Sequence, residues 1–165
     1  MWHMEEADLT IESDTCLSGY SFWCIKLNKG FYAVTSSDIL PTHIFFHKAY
    51  AVVCALHWAC GEGIDGLRRV VIKSDNTNTV DIFNSLKAHG IYNDLLKFVV
   101  GLLMDHDVEL RIIHIPRDTN LIADALSCFQ LDEVARLKPS LVVTRYQPPA
   151  VLAECDVFAY HKSNS

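Results

Sequence analysis

The chain has 165 residues, with 14 lysine and arginine residues against 20 aspartate and glutamate residues, so its formal net charge is −6. That length is sufficient for one domain with a hydrophobic core, or for one domain followed by a tail. Because 50% of the residues are hydrophobic, the composition excludes a fully disordered chain. The acidic balance also argues against a protein that holds nucleic acid by bulk positive charge alone.

The cysteines indicate a reducing environment. No two of the six have CxxC spacing, they lie in apolar surroundings, and no secretory signal precedes them. We therefore expect reduced thiols in an intracellular protein, in the cytoplasm or the nucleus. No run of the sequence approaches about 18 uninterrupted apolar residues, so we expect no membrane span.

The first part of the chain predicts three antiparallel strands. Apolar and polar residues alternate over residues 8–14, which is typical of a half-buried strand. Residues 20–27 are rich in aromatic and β-branched side chains and predict a second strand. A hairpin turn at residues 28–30 leads into a third strand over residues 31–35, and a loop over residues 36–42 follows.

The rest of the pattern alternates helices with strands. Helices are predicted over residues 44–60, from an N-cap at 75–77 to about 88, over 92–106 and over 120–130, and strands over 69–75 and 108–115. The order β-β-β-α-β-α-α-β-α predicts an α/β fold: a mixed five-stranded sheet with three antiparallel strands, then parallel crossovers, and helices on both faces. Residues 131–165 do not continue the pattern and are predicted to be a C-terminal tail.

Three aspartates stand at places that suggest chemistry. Asp14 ends the first strand, Asp75 ends the fourth, and Asp124 lies near the start of the last helix. Ligands of open α/β sheets bind outside the carboxyl ends of the strands, and carboxylates that converge there repel one another unless a cation neutralises them. Divalent ions bridged by acids are the usual arrangement for phosphodiester hydrolysis, and Mg²⁺ prefers such oxygen ligands.

Each aspartate also has an ordinary structural interpretation. Asp14 is a plausible turn residue, Asp75 a plausible N-cap, and Asp124 a plausible solvated helix residue. Taken singly, these interpretations are favoured. The joint placement of the three acids in this order of elements favours the metal-dependent site instead.

Four segments resemble the ribonuclease H domain of retroelement reverse transcriptases. Residues 11–15 read IESDT and residues 17–23 read LSGYSFW, similar to the opening strand of that family. Residues 72–77, IKSDNT, look like the strand that carries its third acid. Residues 114–127, HIPRDTNLIADALS, closely resemble its last conserved block. The resemblance covers about residues 7–130, which we predict to be the ribonuclease H-like domain. The amino-acid sequence is most similar to those of fungal retrotransposons.

The resemblance implies hydrolysis of the RNA strand of an RNA–DNA hybrid with Mg²⁺ or Mn²⁺, water being the nucleophile. The family uses four acids, and Asp14, Asp75 and Asp124 match three of them as catalytic and metal-binding residues. The fourth, a glutamate on the first helix, is Lys48 here. Two further departures are Arg117 at a family glycine and Cys128 at a family arginine.

The exchange at Lys48 changes the charge of the predicted site by two units. The Coulomb energy between two unit charges about 4 Å apart is a few kcal/mol at an effective dielectric constant near 20. We therefore expect weak metal binding and little or no cleavage, with ion pairs from Lys48 to Asp14 and Asp75 in place of metal.

Three functions stay open at this point. The first is an impaired hybrid endonuclease. The second is a non-catalytic nucleic-acid-binding or scaffold remnant of a reverse transcriptase polyprotein, with Lys48, Asn76 and Arg117 on the nucleic acid and Arg68 and Arg69 as further phosphate contacts. The third is a decayed relic without a selected function.

Overall fold

Six strands form one mixed sheet in the computed structural model, which describes residues 2–35, 43–88 and 90–156. The strands are β1 Leu9–Cys16, β2 Gly19–Cys24, β3 Lys29–Val34, β4 Arg69–Ser74, β5 Glu109–His114 and β6 Val142–Arg145. Their order across the sheet is β5-β4-β1-β2-β3-β6. The first three strands are antiparallel, whereas β4, β5 and β6 each run parallel to a neighbour.

Six helices accompany the sheet in the described residues. They are α1 Ile44–Gly61, α2 Thr77–Ser85, α3 Asn93–His106, α4 Leu121–Ser127, α5 Leu131–Leu137 and α6 Ala150–Ala153. The predicted mixed α/β architecture is therefore confirmed. The predicted loop at residues 36–42 and residues 157–165 of the predicted tail lie outside the described residues.

Strand β1 is the centre of the sheet, and its residues explain why. Leu9 and Ile11 are 2% and 0% exposed, and Ile11 is paired with Cys24 of β2 on one side and Ile72 of β4 on the other. Since β1 and β4 are parallel, their carboxyl ends lie at the same edge of the sheet. The residues that end these two strands are thereby brought together.

The prediction of five strands is corrected to six. Strand β6 lies within the predicted tail and pairs in parallel with β3, with Phe31 opposite Thr144. Farther along the same segment, Leu152 is fully buried in the core. Periodicity missed this strand because it has only four residues and its pairing partner is more than 100 residues away in sequence.

Helix α1 is the longest apolar helix among the described residues. Its 18 residues have a mean hydropathy of 1.2, so by length and composition it is long and apolar enough to cross a membrane. However, 67% of it is buried inside the protein, against β1, β2, β4 and α3. A buried position of this kind is that of a core helix, and length and hydropathy are weak evidence for a span.

The last predicted helix is shorter than expected. Helix α4 ends at Ser127 rather than at residue 130, because Phe129 adopts a left-handed backbone conformation with φ 59°. The ring of Phe129 then lies directly against Gly19, where any side chain would collide with it. The end of α4 is thus held close to the turn between β1 and β2.

Candidate functional site

The ammonium group of Lys48 bridges two of the three predicted acids. Its Nζ lies 2.9 Å from Oδ1 of Asp14 and 2.8 Å from Oδ1 of Asp75. Asp14 is near the end of β1, Asp75 follows β4, and α1 places Lys48 over the edge where these strands end. The side chains of Lys48, Asp14 and Asp75 are 15%, 2% and 5% exposed. The predicted ion pairs are therefore present in the structure.

The surroundings of the site raise the pKa of both Asp14 and Lys48. Burial is the main cause that raises the pKa of Asp14 to about 6, and the neighbouring charge of Asp75 adds to it, although Lys48 and the Thr15 N–H act in the opposite direction. Burial disfavours the charged form of Lys48, but the two carboxylates outweigh it and raise the pKa of its ammonium group. Lys48 is thus a cation at neutral pH, and it is the charge that balances the two acids.

These residues do not fit a divalent metal ion. One oxygen of each carboxylate, Oδ1 of Asp14 and Oδ1 of Asp75, already accepts a hydrogen bond from the ammonium of Lys48. In residues 2–35, 43–88 and 90–156, no group of three or more histidine, cysteine, aspartate or glutamate side chains is placed to hold a metal. A metal that entered would meet a buried cation at the position between the carboxylates.

The third predicted acid is not part of this cluster. Helix α4 is attached to β1 by the side chain of Asn120, which donates to the carbonyl of Ser13 over 2.9 Å. The Asp124 carboxylate, however, makes no hydrogen bond or ion pair to Lys48, Asp14 or Asp75 in the described part of the chain. It lines a separate groove of about 680 Å³ between α4 and α5.

The three residues predicted to contact nucleic acid lie in one cleft. Lys48, Asn76 and Arg117 line an open cleft of about 520 Å³ at the edge of the sheet, with Asp75 as a further lining residue. Arg117 is exposed and has no ion-pair partner among the described residues. The cleft therefore presents positive charge beside the cluster formed by Lys48, Asp14 and Asp75, which we call the Lys48 cluster.

Asn76 serves two purposes in the cleft. Its Oδ1 accepts a hydrogen bond of 2.9 Å from the backbone N–H of Asn78, and so caps α2. Its Nδ2 is buried and has no hydrogen-bond partner among the described residues. Since Asn76 lines the cleft, this amide without a partner lies in the cleft wall.

One cleft residue was missed by the sequence analysis. Phe45 is 57% exposed and lines the cleft beside Lys48. It lies within the helix predicted over residues 44–60, and no function was predicted for it. The available signal was its spacing, because a residue three positions before Lys48 shares a helical face with it.

Arg68 and Arg69 do not belong to this cleft. Arg69 begins β4, at the end opposite to Asp75, and six residues of strand span about 20 Å. Arg68 forms an ion pair with Asp107, and Arg69 with Glu6. Phosphate contact by Arg68 and Arg69 would therefore occur away from Lys48, and it stays a prediction.

Comparison with solved structures identifies the fold. LC11 ribonuclease H1 in complex with an RNA/DNA hybrid matches with a TM-score of 0.58 and 15% identity, covering 72% of this chain and 93% of that chain. Ribonuclease H1 from the halophilic archaeon Halobacterium salinarum NRC-1 matches with a TM-score of 0.55 and 17% identity, covering 76% and 98%. At these identities the similarity shows a ribonuclease H-like fold.

Comparison of sequences identifies the family. No curated protein sequence matches the chain. The family described as reverse transcriptase-like matches residues 17–129, a stretch that includes Asp75 and Asp124 and begins after Asp14. The chain therefore belongs to the reverse transcriptase-like family, with a ribonuclease H-like domain.

Proposed function

We propose that this chain is a retroelement-derived ribonuclease H-like domain, an RNA–DNA hybrid endonuclease by descent, in which Lys48 impairs hydrolysis while nucleic-acid binding is retained. The observation that carries the proposal is the position of the Lys48 ammonium, within 2.9 Å of both Asp14 and Asp75. The proposal includes an origin in a reverse transcriptase polyprotein similar to those of fungal retrotransposons. It also includes an intracellular location, which is supported by six cysteines that are all free thiols.

The loss of hydrolysis follows from the charge at the site. In the ancestral arrangement implied by the resemblance, Asp14, Asp75 and Asp124 hold Mg²⁺ or Mn²⁺ together with a glutamate at position 48. The lysine supplies the positive charge itself and occupies the acceptor oxygens. Removing the ammonium from the buried carboxylates would leave charges without partners, which costs several kcal/mol. The protein is stable without metal because the ammonium replaces it.

Nucleic-acid binding is supported by the residues of the cleft. Among the described residues Arg117 has no ion-pair partner, so its guanidinium can bind a phosphate. Asn76 adds a buried amide that has no hydrogen-bond partner in the same part of the chain, and Phe45 adds an exposed ring on which a base can stack. The solved structure of LC11 ribonuclease H1 with its RNA/DNA hybrid supports the same class of ligand. The net charge of −6 limits binding to this local patch.

Cleavage of a labelled RNA–DNA hybrid in Mg²⁺ or Mn²⁺ tests the impairment. We expect little or no cleavage by the unmodified chain and increased cleavage by Lys48→Glu, which restores the family's acid. The double variant Lys48→Glu/Asp75→Asn is the matched control and is expected to lose the gain. Robust cleavage by the unmodified chain that Asp75→Asn abolishes would overturn the proposal.

Binding without cleavage distinguishes the remaining alternatives. The non-catalytic binding or scaffold remnant is favoured by the same Lys48 bridge, and it predicts salt-sensitive binding of the hybrid by fluorescence anisotropy with no product. A folded chain that neither cleaves nor binds the hybrid would contradict both functions. It would favour the third alternative, a decayed relic without a selected function.

A further inference from the structure

We propose that Cys16 and Cys128 form a reversible disulfide when the chain meets a peroxide, and that this bond ties the end of β1 to the end of α4. The site is independent of the proposed nucleic-acid function, since it rests on the thiols and the contacts around them. Cys16 is the last residue of β1, and Cys128 directly follows α4.

The two thiols lie beside the same residue, Ser127, in the reduced protein. Sγ of Cys16 donates to the backbone carbonyl of Ser127 over 3.0 Å, so it reaches the residue that precedes Cys128. Sγ of Cys128 lies 3.9 Å from the hydroxyl of the same Ser127. Both sulfurs therefore lie at Ser127, which brings the two thiols to the same place in the fold.

The surrounding structure holds these two segments together. Phe129, which follows Cys128, packs against Gly19, which follows the turn after Cys16. The hydroxyl of Ser21 donates to the carbonyl of Ala123 over 2.5 Å, which fixes α4 to β2. Both segments are thus positioned before any oxidation takes place.

Exposure distinguishes this pair from the other thiols. Cys16 and Cys128 are both half-buried and within reach of a small oxidant, whereas Cys24 and Cys54 are fully buried. Cys60 and Cys155 are partly exposed, but in the described part of the chain neither shares a hydrogen-bond partner with another thiol. Cys16 and Cys128 are the pair that the geometry selects.

The chemistry balances with one peroxide for each bond. The thiolate of one cysteine attacks a peroxide oxygen, the O–O bond breaks, and hydroxide leaves, which takes up the thiol proton as water. The resulting sulfenic acid is attacked by the second thiol, an S–S bond forms, and a second water leaves. Two thiols are oxidised and one peroxide is reduced, and a dithiol reductant such as dithiothreitol reverses the reaction.

Mass spectrometry of the full chain tests the inference. After hydrogen peroxide treatment and alkylation, we expect a loss of two hydrogen atoms, two fewer alkylated thiols, and a cross-linked peptide pair that contains Cys16 and Cys128. Dithiothreitol should restore all six free thiols. Because the bond closes a long loop, the thermal midpoint of the oxidised chain should be higher than that of the reduced chain.

Variants make the assignment specific. Cys16→Ser and Cys128→Ser should each abolish the cross-link, and Cys60→Ser, the matched control at a partly exposed thiol, should retain it. If one serine variant fails to fold, the cross-linked peptide pair and the number of alkylated thiols in the unmodified chain still test the inference. Oxidation that leaves six alkylatable thiols, that gives only separate sulfinic acids, or that joins a different pair would overturn the inference.

Discussion

Nδ2 of Asn120 donates a hydrogen bond of 2.9 Å to the backbone carbonyl of Ser13, the residue that precedes Asp14. Asn120 is fully buried and immediately precedes α4. This bond joins the segment of residues 114–127 to the central strand. It explains how α4 is fixed on the sheet although its carboxylate, Asp124, is not hydrogen bonded to the Lys48 cluster.

The Asn120→Ala variant is therefore expected to unfold more easily. The substitution removes the amide that donates to the Ser13 carbonyl. Because this hydrogen bond is buried, we expect the free energy of unfolding to fall by about 1–3 kcal/mol. Urea unfolding monitored by circular dichroism measures this change. Asn93→Ala, at an exposed position at the start of α3, is the control and should change stability by less than about 0.5 kcal/mol. Equal effects of the two substitutions would contradict the role of the Asn120 bond.

Removing the charge of Lys48 should make stability depend strongly on pH. Lys48→Met leaves two buried carboxylates without a cation, so we expect a loss of about 3–5 kcal/mol at neutral pH. The pKa of Asp14, which burial raises from 3.8 to about 6, should rise further, because Lys48 holds it down in the unmodified chain.

The sign of this pH effect follows from the raised pKa. The folded state holds the Asp14 proton more tightly than the unfolded state, so stability falls as pH rises from the unfolded pKa through the folded one. In Lys48→Met the fall should extend to higher pH than in the unmodified chain. Urea unfolding across this range, with ¹³C NMR of the carboxyl groups, measures both changes. Lys97→Met, at an exposed position of α3, is the control, and a pH profile of Lys48→Met that coincides with it would refute the prediction.

The segment after residue 130 should contribute to the stability of the domain. Leu152 of α6 is fully buried in the same core cluster as the residues of β1 and α1. We expect Leu152→Ala to cost about 2–5 kcal/mol through lost burial and the cavity that it leaves. Val151→Ala is the neighbouring control, because Val151 is 64% exposed. If chemical denaturation shows no difference between the two variants, α6 does not stabilise the fold.

Arg117 should carry a measurable part of the binding of nucleic acid. Arg117→Ala removes one phosphate contact, so hybrid affinity should fall and the slope of log K against log salt should decrease by about 1. Arg68→Ala is the control, because Arg68 lies at the opposite edge of the sheet and is paired with Asp107. Fluorescence anisotropy at several salt concentrations measures both variants. A larger loss for Arg68→Ala would place the binding surface elsewhere.

Much of the candidate site could be predicted because its signals are local in sequence. Asp14 and Asp75 were identified from their positions at strand ends, and parallel strands bring such ends together by geometry. The ion pairs of Lys48 with both acids were also predicted and are confirmed. Phe45 was missed, because the helical pattern shows that a residue is apolar but does not show that its face lies beside a cleft.

By itself, the sequence determined the order of the strands and helices of residues 9–127 and the exchange of an acid for Lys48, since periodicity, turns and motifs act over a few residues. Only the tertiary structure decided where the segment after residue 130 and the end of α4 meet the sheet. The sixth strand is one example, since its four residues have little pattern of their own and are defined by pairing with β3. Another is Cys16, which bonds to Ser127 across 111 residues of sequence. Such contacts depend on how the whole chain packs, and no local pattern encodes them.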